Sequence, residues 1–240
     1  MHILICIDDT DDLDSPGTGR LAADLCAILE QRRLARCRYI TRHQLFVHPD
    51  IPYTSHNAAM CFEADAAASV ADIVPVCAQF LSTVPPPASD PGLCIVEPAR
   101  LASAAPLIEF GYRAKREVLN KDTAYAFARE HAIHLSEHGG TGGGVIGALA
   151  GAGLRLAGND GRLRGGLDFG GADELSVDAL LRHADVDAVQ GAAGEAPPAD
   201  ALIRLEGKVK TVRRDGRAVL LVAREAGGWR CLTKSELKTY

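Results

Sequence analysis

A run of six residues, His2 to Ile7, is almost wholly apolar, and five of the next seven are aspartate: Asp8, Asp9, Asp11, Asp12 and Asp14. The run reads as a buried strand, covered on both faces, whose C-terminal end faces a site. Carboxylates this close repel, so an ordinary loop gains little by carrying them all. Clusters at the end of a buried strand commonly hold a divalent cation. Mg²⁺ takes oxygen ligands, keeps several waters, and needs only one or two carboxylates beside substrate phosphates. Asp8, Asp9 and Asp11, nearest the strand end, are the candidate metal ligands. Asp14 and Ser15 are placed to cap the next turn. The bland alternative is a solvated acidic turn with no ligand.

The residues just after the cluster favour a ligand. Gly17, Thr18 and Gly19 open a helix whose Leu21, Leu25, Ile28 and Leu29 share one face. Glycines permit close backbone approach, and a helix N-terminus favours an anion. An acidic cluster beside an anion site makes sense if Mg²⁺ bridges them, and phosphate is the obvious anion. A second glycine-rich stretch, EHGGTGGGVIGALAG, again runs from a loop into an apolar helix. It lacks the lysine of a Walker loop and the frame of a dinucleotide fingerprint. Thr10, Gly17 and Gly19 on the first loop, Asn57 between the loops, and Gly140, Thr141, Gly142, Gly143 and Gly144 on the second make up the candidate nucleotide site. His56 and His138 are further polar candidates, though a lone histidine is more often structural than catalytic.

Composition bounds the partners. The chain has 240 residues, a net charge of −5 and 47% hydrophobic residues. That argues against a broad nonspecific nucleic-acid surface while leaving room for a local basic patch. The seven cysteines form no CxxC pair and sit mostly in apolar runs, as buried thiols of a reducing compartment do. No signal peptide and no membrane-spanning run is evident, so the expected location is cytoplasmic, with no membrane partner.

Along the chain, strands are expected at residues 2–7, 35–48, 58–64 and 93–97, and helices at 19–34 and 66–81, with Pro75 marking a kink or boundary. Two helices lie between 101 and 135, the second starting near Asn120. A hairpin is expected around GNDGR and a linker at 189–200. A basic hairpin turns at Asp215-Gly216, with Lys208, Lys210, Arg213, Arg214 and Arg217 near one turn. The fold class is α+β or α/β.

The order of motifs resembles one family. IDDTD at Ile7–Asp11, the PDIPYTSHNA loop at Pro49–Ala58, Pro91-Gly92, and the glycine-rich IGALA helix at Gly142–Gly153 recur in archaeal tRNA-isoleucine 2-agmatinylcytidine synthetase. The resemblance covers roughly residues 1–157. It implies a kinase-like nucleotide-binding core (1–60 and 110–188) with a ferredoxin-like subdomain (61–109), beside the small basic β region (201–240) that the alternating apolar and basic residues themselves suggest. It further implies ATP and Mg²⁺ as cofactors, cleavage of ATP to AMP and two phosphates, and activation of a cytidine carbonyl oxygen for attack by agmatine. Asp8, Asp9 and Asp11 would serve metal and phosphates, and Thr18 falls where that family has a phosphorylated threonine. The family's basic KTRGN is YTSHN here, so Ser55 and His56 replace a basic pair. Its OB-fold and zinc ribbon are expected to be missing here, since no paired cysteines are present to hold zinc.

The expected function is ATP- and Mg²⁺-dependent phosphoryl transfer that activates an oxygen of RNA or of a small molecule for attack by an amine. The alternatives are a haloacid-dehalogenase-like phosphatase, for which Asp9-Thr10-Asp11 superficially fits, and a non-catalytic nucleotide- or RNA-binding module.

Overall fold

The computed structural model describes residues 1–53, 56–225 and 227–239. It divides into two units, Met1–Ala157 and Gly158–Tyr240.

The first unit begins β1 (His2–Asp8), α1 (Thr18–Gln31), β2 (Ala35–Gln44), β3 (Ala58–Ala66), α2 (Val70–Thr83), β4 (Gly92–Val96). The strands run in the order β4-β1-β3-β2, each antiparallel to its neighbour. This is the split βαβ arrangement of ferredoxin-like folds. It spans residues 2–96 rather than the expected 61–109, because β1 lies between β3 and β4 and cannot be assigned to a separate domain. Three helices and an edge strand complete the unit: α3 (Ala105–Arg113), α4 (Lys121–Glu130), β5 (His134–Glu137), which pairs with β4, and α5 (Gly144–Ala157).

Alternation along β1 explains its continuous apolar run. Ile3, Ile5 and Ile7 pack with α1 and α2 residues on one face, while Leu4 and Cys6 join a core built with α3, α4 and α5 on the other. A strand covered on both faces has no position for a polar residue until its end. Pro75 does not break α2, which runs through it. A capping box between Ser69 and Asp72 starts the helix, and the proline sits in its second turn, where it removes one backbone bond. The helix α4 starts beside Asn120, as expected, and Asn120 caps it by accepting from the Thr123 N–H at 2.9 Å.

The Gly/Ala composition of α5 is a packing device. A Cβ at Gly153 would lie 2.1 Å from the Leu107 carbonyl oxygen, and one at Gly151 2.5 Å from Cys6 Sγ. The helix backbone therefore rests directly on α3 and on the sheet. Its last turns are pinned by Arg155, which is fully buried. That guanidinium donates to Glu63 at 3.1 Å and to Thr41 Oγ1 at 2.8 Å, and stacks 4.5 Å above the Tyr39 ring.

The second unit contains β6 (Arg162–Leu163), β7 (Glu174–Ser176), α6 (Val177–Leu180), β8 (Ala188–Gly191), β9 (Leu202–Arg204), β10 (Thr211–Arg214), β11 (Arg217–Glu225) and β12 (Gly228–Cys231). The order is β6-β10-β11-β12-β9-β7, with β8 parallel to β11. The hairpin at Asp215-Gly216 forms as expected, with Arg214 opposite Arg217 and both turn residues at positive φ. GNDGR does not make the expected hairpin. Its Gly158 carbonyl and Asn159 side chain instead accept from the backbone of that turn, and β6 pairs with β10. The segment 189–200 is not a free linker either, since Val189, Gln190 and Gly191 lie opposite Leu220, Leu221 and Val222. The division falls at 157/158, where α5 ends.

All seven cysteines are unbridged, and five of them are buried. No helix among the described residues is long and apolar enough to cross a membrane.

Candidate functional site

The strand that delivers the aspartates also decides which one is buried. Asp8 follows Leu4 and Cys6 onto the α5 face, where it is 8% exposed. It fits only because position 147 is glycine: a Cβ there would sit 1.8 Å from Asp8 Oδ2. Burial first, then the neighbouring Asp9 charge, holds the Asp8 carboxyl well above the ordinary carboxylate range. Asp9, just beyond the strand, has φ 52, a left-handed conformation that aspartate tolerates better than most residues. Burial, followed by the charges of Asp90 and Asp11, pushes Asp9 up to about 6.

The turn after Asp9 folds on its own polar groups. The Asp12 N–H donates to Ser15 Oγ at 2.8 Å and the Asp14 N–H to Asp12 Oδ1 at 3.1 Å. The side-chain cap expected of Asp14 and Ser15 is not made; α1 is preceded by Gly17 at φ 84, a conformation that favours glycine. The chain thereby returns Thr18, the first residue of α1, to Asp11. Its hydroxyl donates to Asp11 Oδ1 at 2.6 Å. Thr10, between the two acids, is fully buried, and its hydroxyl has no hydrogen-bond partner among the described residues.

The glycine-rich loop is tied to these acids through Asp90, a residue that neither motif contains. The Asp90 N–H donates to the Asp9 carbonyl at 3.0 Å, and the Asp90 carbonyl accepts from the Gly144 N–H at 3.1 Å. Its carboxylate accepts from the Thr141 hydroxyl at 2.6 Å and from the Thr141 N–H. The loop amides are thus partly committed: at the start of α5 those of Gly144, Val145 and Ile146 already donate to carbonyls of Asp90, Gly142 and Gly143.

An open cleft of about 830 Å³ lies over this arrangement. Asp8, Asp9, Asp11, Thr18, Asn57, Gly143 and Gly144 line it; Thr10, Gly17, Gly19, Gly140, Thr141 and Gly142 do not. Asn57 Nδ2 donates to the Phe46 carbonyl at 2.6 Å, which fixes the loop around it. His56 is at the cleft, Ser55 lies outside the described residues, and His138 sits instead in a polar row with Ser136 and Ser82. Leu45, Ile51, Pro52, Tyr53 and Val118 supply an apolar wall, with Asp50 and Glu117 as further acids. Of these additions Asp90 had a marker in the sequence as the residue before Pro91-Gly92, and Asp50, Ile51, Pro52 and Tyr53 as members of the Pro49–Ala58 loop motif. The others come from loops brought together by folding.

The carboxylates suit a hard cation that arrives with phosphates. Among the described residues no group of three metal-binding side chains forms a ready cage. Mg²⁺ does not need one, because one or two carboxylates, waters and phosphate oxygens complete its shell. The buried Asp8 and the half-buried Asp9 beside it, both with raised proton affinity, are what such a charge would relieve.

No family model matches the chain, and no curated protein matches it significantly. Solved structures do match it. A tRNA fluorescent labeling enzyme aligns at 29% identity and TM-score 0.55, over 64% of this chain and 36% of that one. The apo form of the agmatidine synthetase for an isoleucine tRNA aligns at 28% identity and TM-score 0.53, over 64% of this chain and 35% of its own. The same synthetase in complex with its tRNA and ATP gives 24% identity and TM-score 0.59, over 83% and 50%, a likeness of fold. The chain therefore spans between about a third and a half of the proteins it resembles. The resemblance carried by the sequence motifs and the mixed α+β fold are both found in these neighbours.

Proposed function

We propose that the chain is an ATP-dependent enzyme of RNA modification, which uses a kinase-like phosphoryl transfer to activate an acceptor oxygen for attack by an amine. The observation that carries this reading is the 2.6 Å bond from the Thr18 hydroxyl to Asp11 Oδ1, inside a cleft that Asp8 and Asp9 also line. A hydroxyl is a weak nucleophile until a base within hydrogen-bond reach can take its proton. Thr18 acts as a phosphate ligand or a transient acceptor. As acceptor, its Oγ1 forms a bond to phosphorus, the bond from phosphorus to the departing nucleotide or phosphate oxygen breaks, and the hydroxyl proton passes to Asp11.

When bound, Mg²⁺ neutralises phosphate oxygens. Asp8 and Asp9 are the residues that would hold it, with Asp11 shared between the metal and Thr18. Gly143 and Gly144 bring the positive end of the α5 dipole to the phosphates. The apolar wall at Leu45, Ile51, Pro52, Tyr53 and Val118 suits a nucleobase. The partner is a nucleotide with RNA or a small molecule as acceptor. RNA is favoured because the solved neighbours are named for acting on tRNA, and one is a complex with tRNA and ATP. Neither the phosphatase nor the non-catalytic alternative draws support from them.

The test is incubation with radiolabelled ATP and Mg²⁺, resolving AMP, ADP and labelled protein, beside Thr18→Ala. AMP release, or label on the protein that vanishes in Thr18→Ala, is the expected result. Hydrolysis of phosphate esters without ATP, or ATP binding with no turnover on any RNA or amine, would replace it with one of the alternatives.

A further inference from the structure

Asp90 touches both halves of the site while belonging to neither motif. Its backbone joins the acidic turn to α5, because its N–H holds the Asp9 carbonyl at 3.0 Å and its carbonyl receives the Gly144 N–H at 3.1 Å. Its side chain reaches the glycine-rich loop, where both carboxylate oxygens accept from Thr141. The loop is shaped around that carboxylate. A Cβ at Gly140, where φ is 53, would fall 1.6 Å from Asp90 Oδ1. One at Gly144 would fall 2.2 Å from the Asp90 carbonyl oxygen. Glycine at these two positions thus serves to admit Asp90, at least as much as to admit a ligand.

We infer that Asp90 is a positioning residue, whose carboxylate holds the glycine-rich loop at a fixed distance from the Asp8–Asp9 turn so that the two address one phosphate chain. The inference rests on the nucleotide reading above. Hydrogen bonds to a charged acceptor are stronger than neutral ones, so a carboxylate that takes both donors of Thr141 is a firm anchor for a loop rich in glycine. Without it, Gly139–Gly143 gains backbone freedom that phosphate binding must then remove. The apolar wall of the cleft lies on other loops and does not depend on this tie.

The test uses the full chain with Asp90→Ala and Asp90→Asn. Affinities for ATP with Mg²⁺ and for adenosine are measured by calorimetry, and hydrogen exchange is followed over residues 140–146. In Asp90→Ala the ATP affinity should drop at least about tenfold, as expected for lost charge-assisted bonds, while adenosine affinity is unchanged and exchange at the loop accelerates. Asp90→Asn keeps one acceptor for the Thr141 N–H and should recover part of the loss. Equal losses for ATP and adenosine would mean general damage and would overturn the inference, as would unchanged ATP affinity. Should the wild type bind neither ligand, the nucleotide reading falls separately. Exchange then decides the tie alone: unchanged protection in Asp90→Ala removes it, and faster exchange sustains it.

Discussion

Gly147 and Gly151 lie one helical turn apart on α5, over alternate residues of β1. A Cβ added at 147 would sit 1.8 Å from Asp8 Oδ2 and 3.0 Å from Leu45 Cδ1. One added at 151 would sit 2.5 Å from Cys6 Sγ and 2.8 Å from the Ala59 Cβ. In an isolated helix, either change to alanine would help by about 1 kcal/mol through backbone propensity. Here each inserts a methyl into a packed layer, which costs about 1–3 kcal/mol. The net expectation for both is a loss of up to about 2 kcal/mol, the difference between the cost and the propensity gain. At about 2–4 °C per kcal/mol for a protein of this size, that is a fall in Tm of several degrees. Their effects on the site should diverge. Gly147→Ala must displace the Asp8 carboxylate, whereas Gly151→Ala strains only Cys6 and Ala59. Urea unfolding and calorimetric titration with ATP and Mg²⁺ of both variants make the comparison. Gly147→Ala should lose affinity well beyond Gly151→Ala at matched stability. A Gly147→Ala protein that gained the full propensity increment and bound normally would refute the packing argument and the placement of Asp8.

Other outcomes rest on buried charge and thiols. Glu63→Gln removes the carboxylate to which the buried Arg155 Nε donates at 3.1 Å and should destabilise by up to about 3–5 kcal/mol, whereas Arg155→Met, which removes the charge itself, should cost less; denaturant midpoints decide between them. His134 and His138 both have pKa values lowered by burial, and His134 also lowers that of His138. The unfolded chain therefore binds more protons just below the usual histidine value, about 6.5. The stability these residues contribute is present above that value and is lost as pH falls through their folded values. Raised carboxyls at Asp8 and Asp9 slope the other way, so the signature is the difference in Tm between wild type and a His134→Gln, His138→Gln double variant from pH 7 to 5. Thiol labelling of the native chain should modify Cys26 and Cys37, which are partly exposed, while Cys77 and Cys231, pushed up to about 12 chiefly by burial, react only on unfolding.

The elements of this protein are written locally. The apolar run of β1, the face shared by Leu21, Leu25 and Leu29, the Asn120 cap and the Asp215-Gly216 turn each specify their structure through neighbours in sequence, and they form where periodicity places them. The sequence also placed the acidic cluster of the candidate site, because a strand buried on both faces and ending in acids presents them at that end.

What folding decided was adjacency. Asp90 meets Asp9 and Thr141 only because β4 pairs beside β1 and α5 lies across both, contacts that span tens of residues. For the same reason the ferredoxin-like motif spans residues 2–96, since strand order is set by pairing and not by sequence order. The glycines of the second loop show the limit most clearly. Read alone they are a cradle for an anion, but in the structure several admit a carboxylate or a backbone carbonyl, since a missing Cβ leaves room without specifying what fills it.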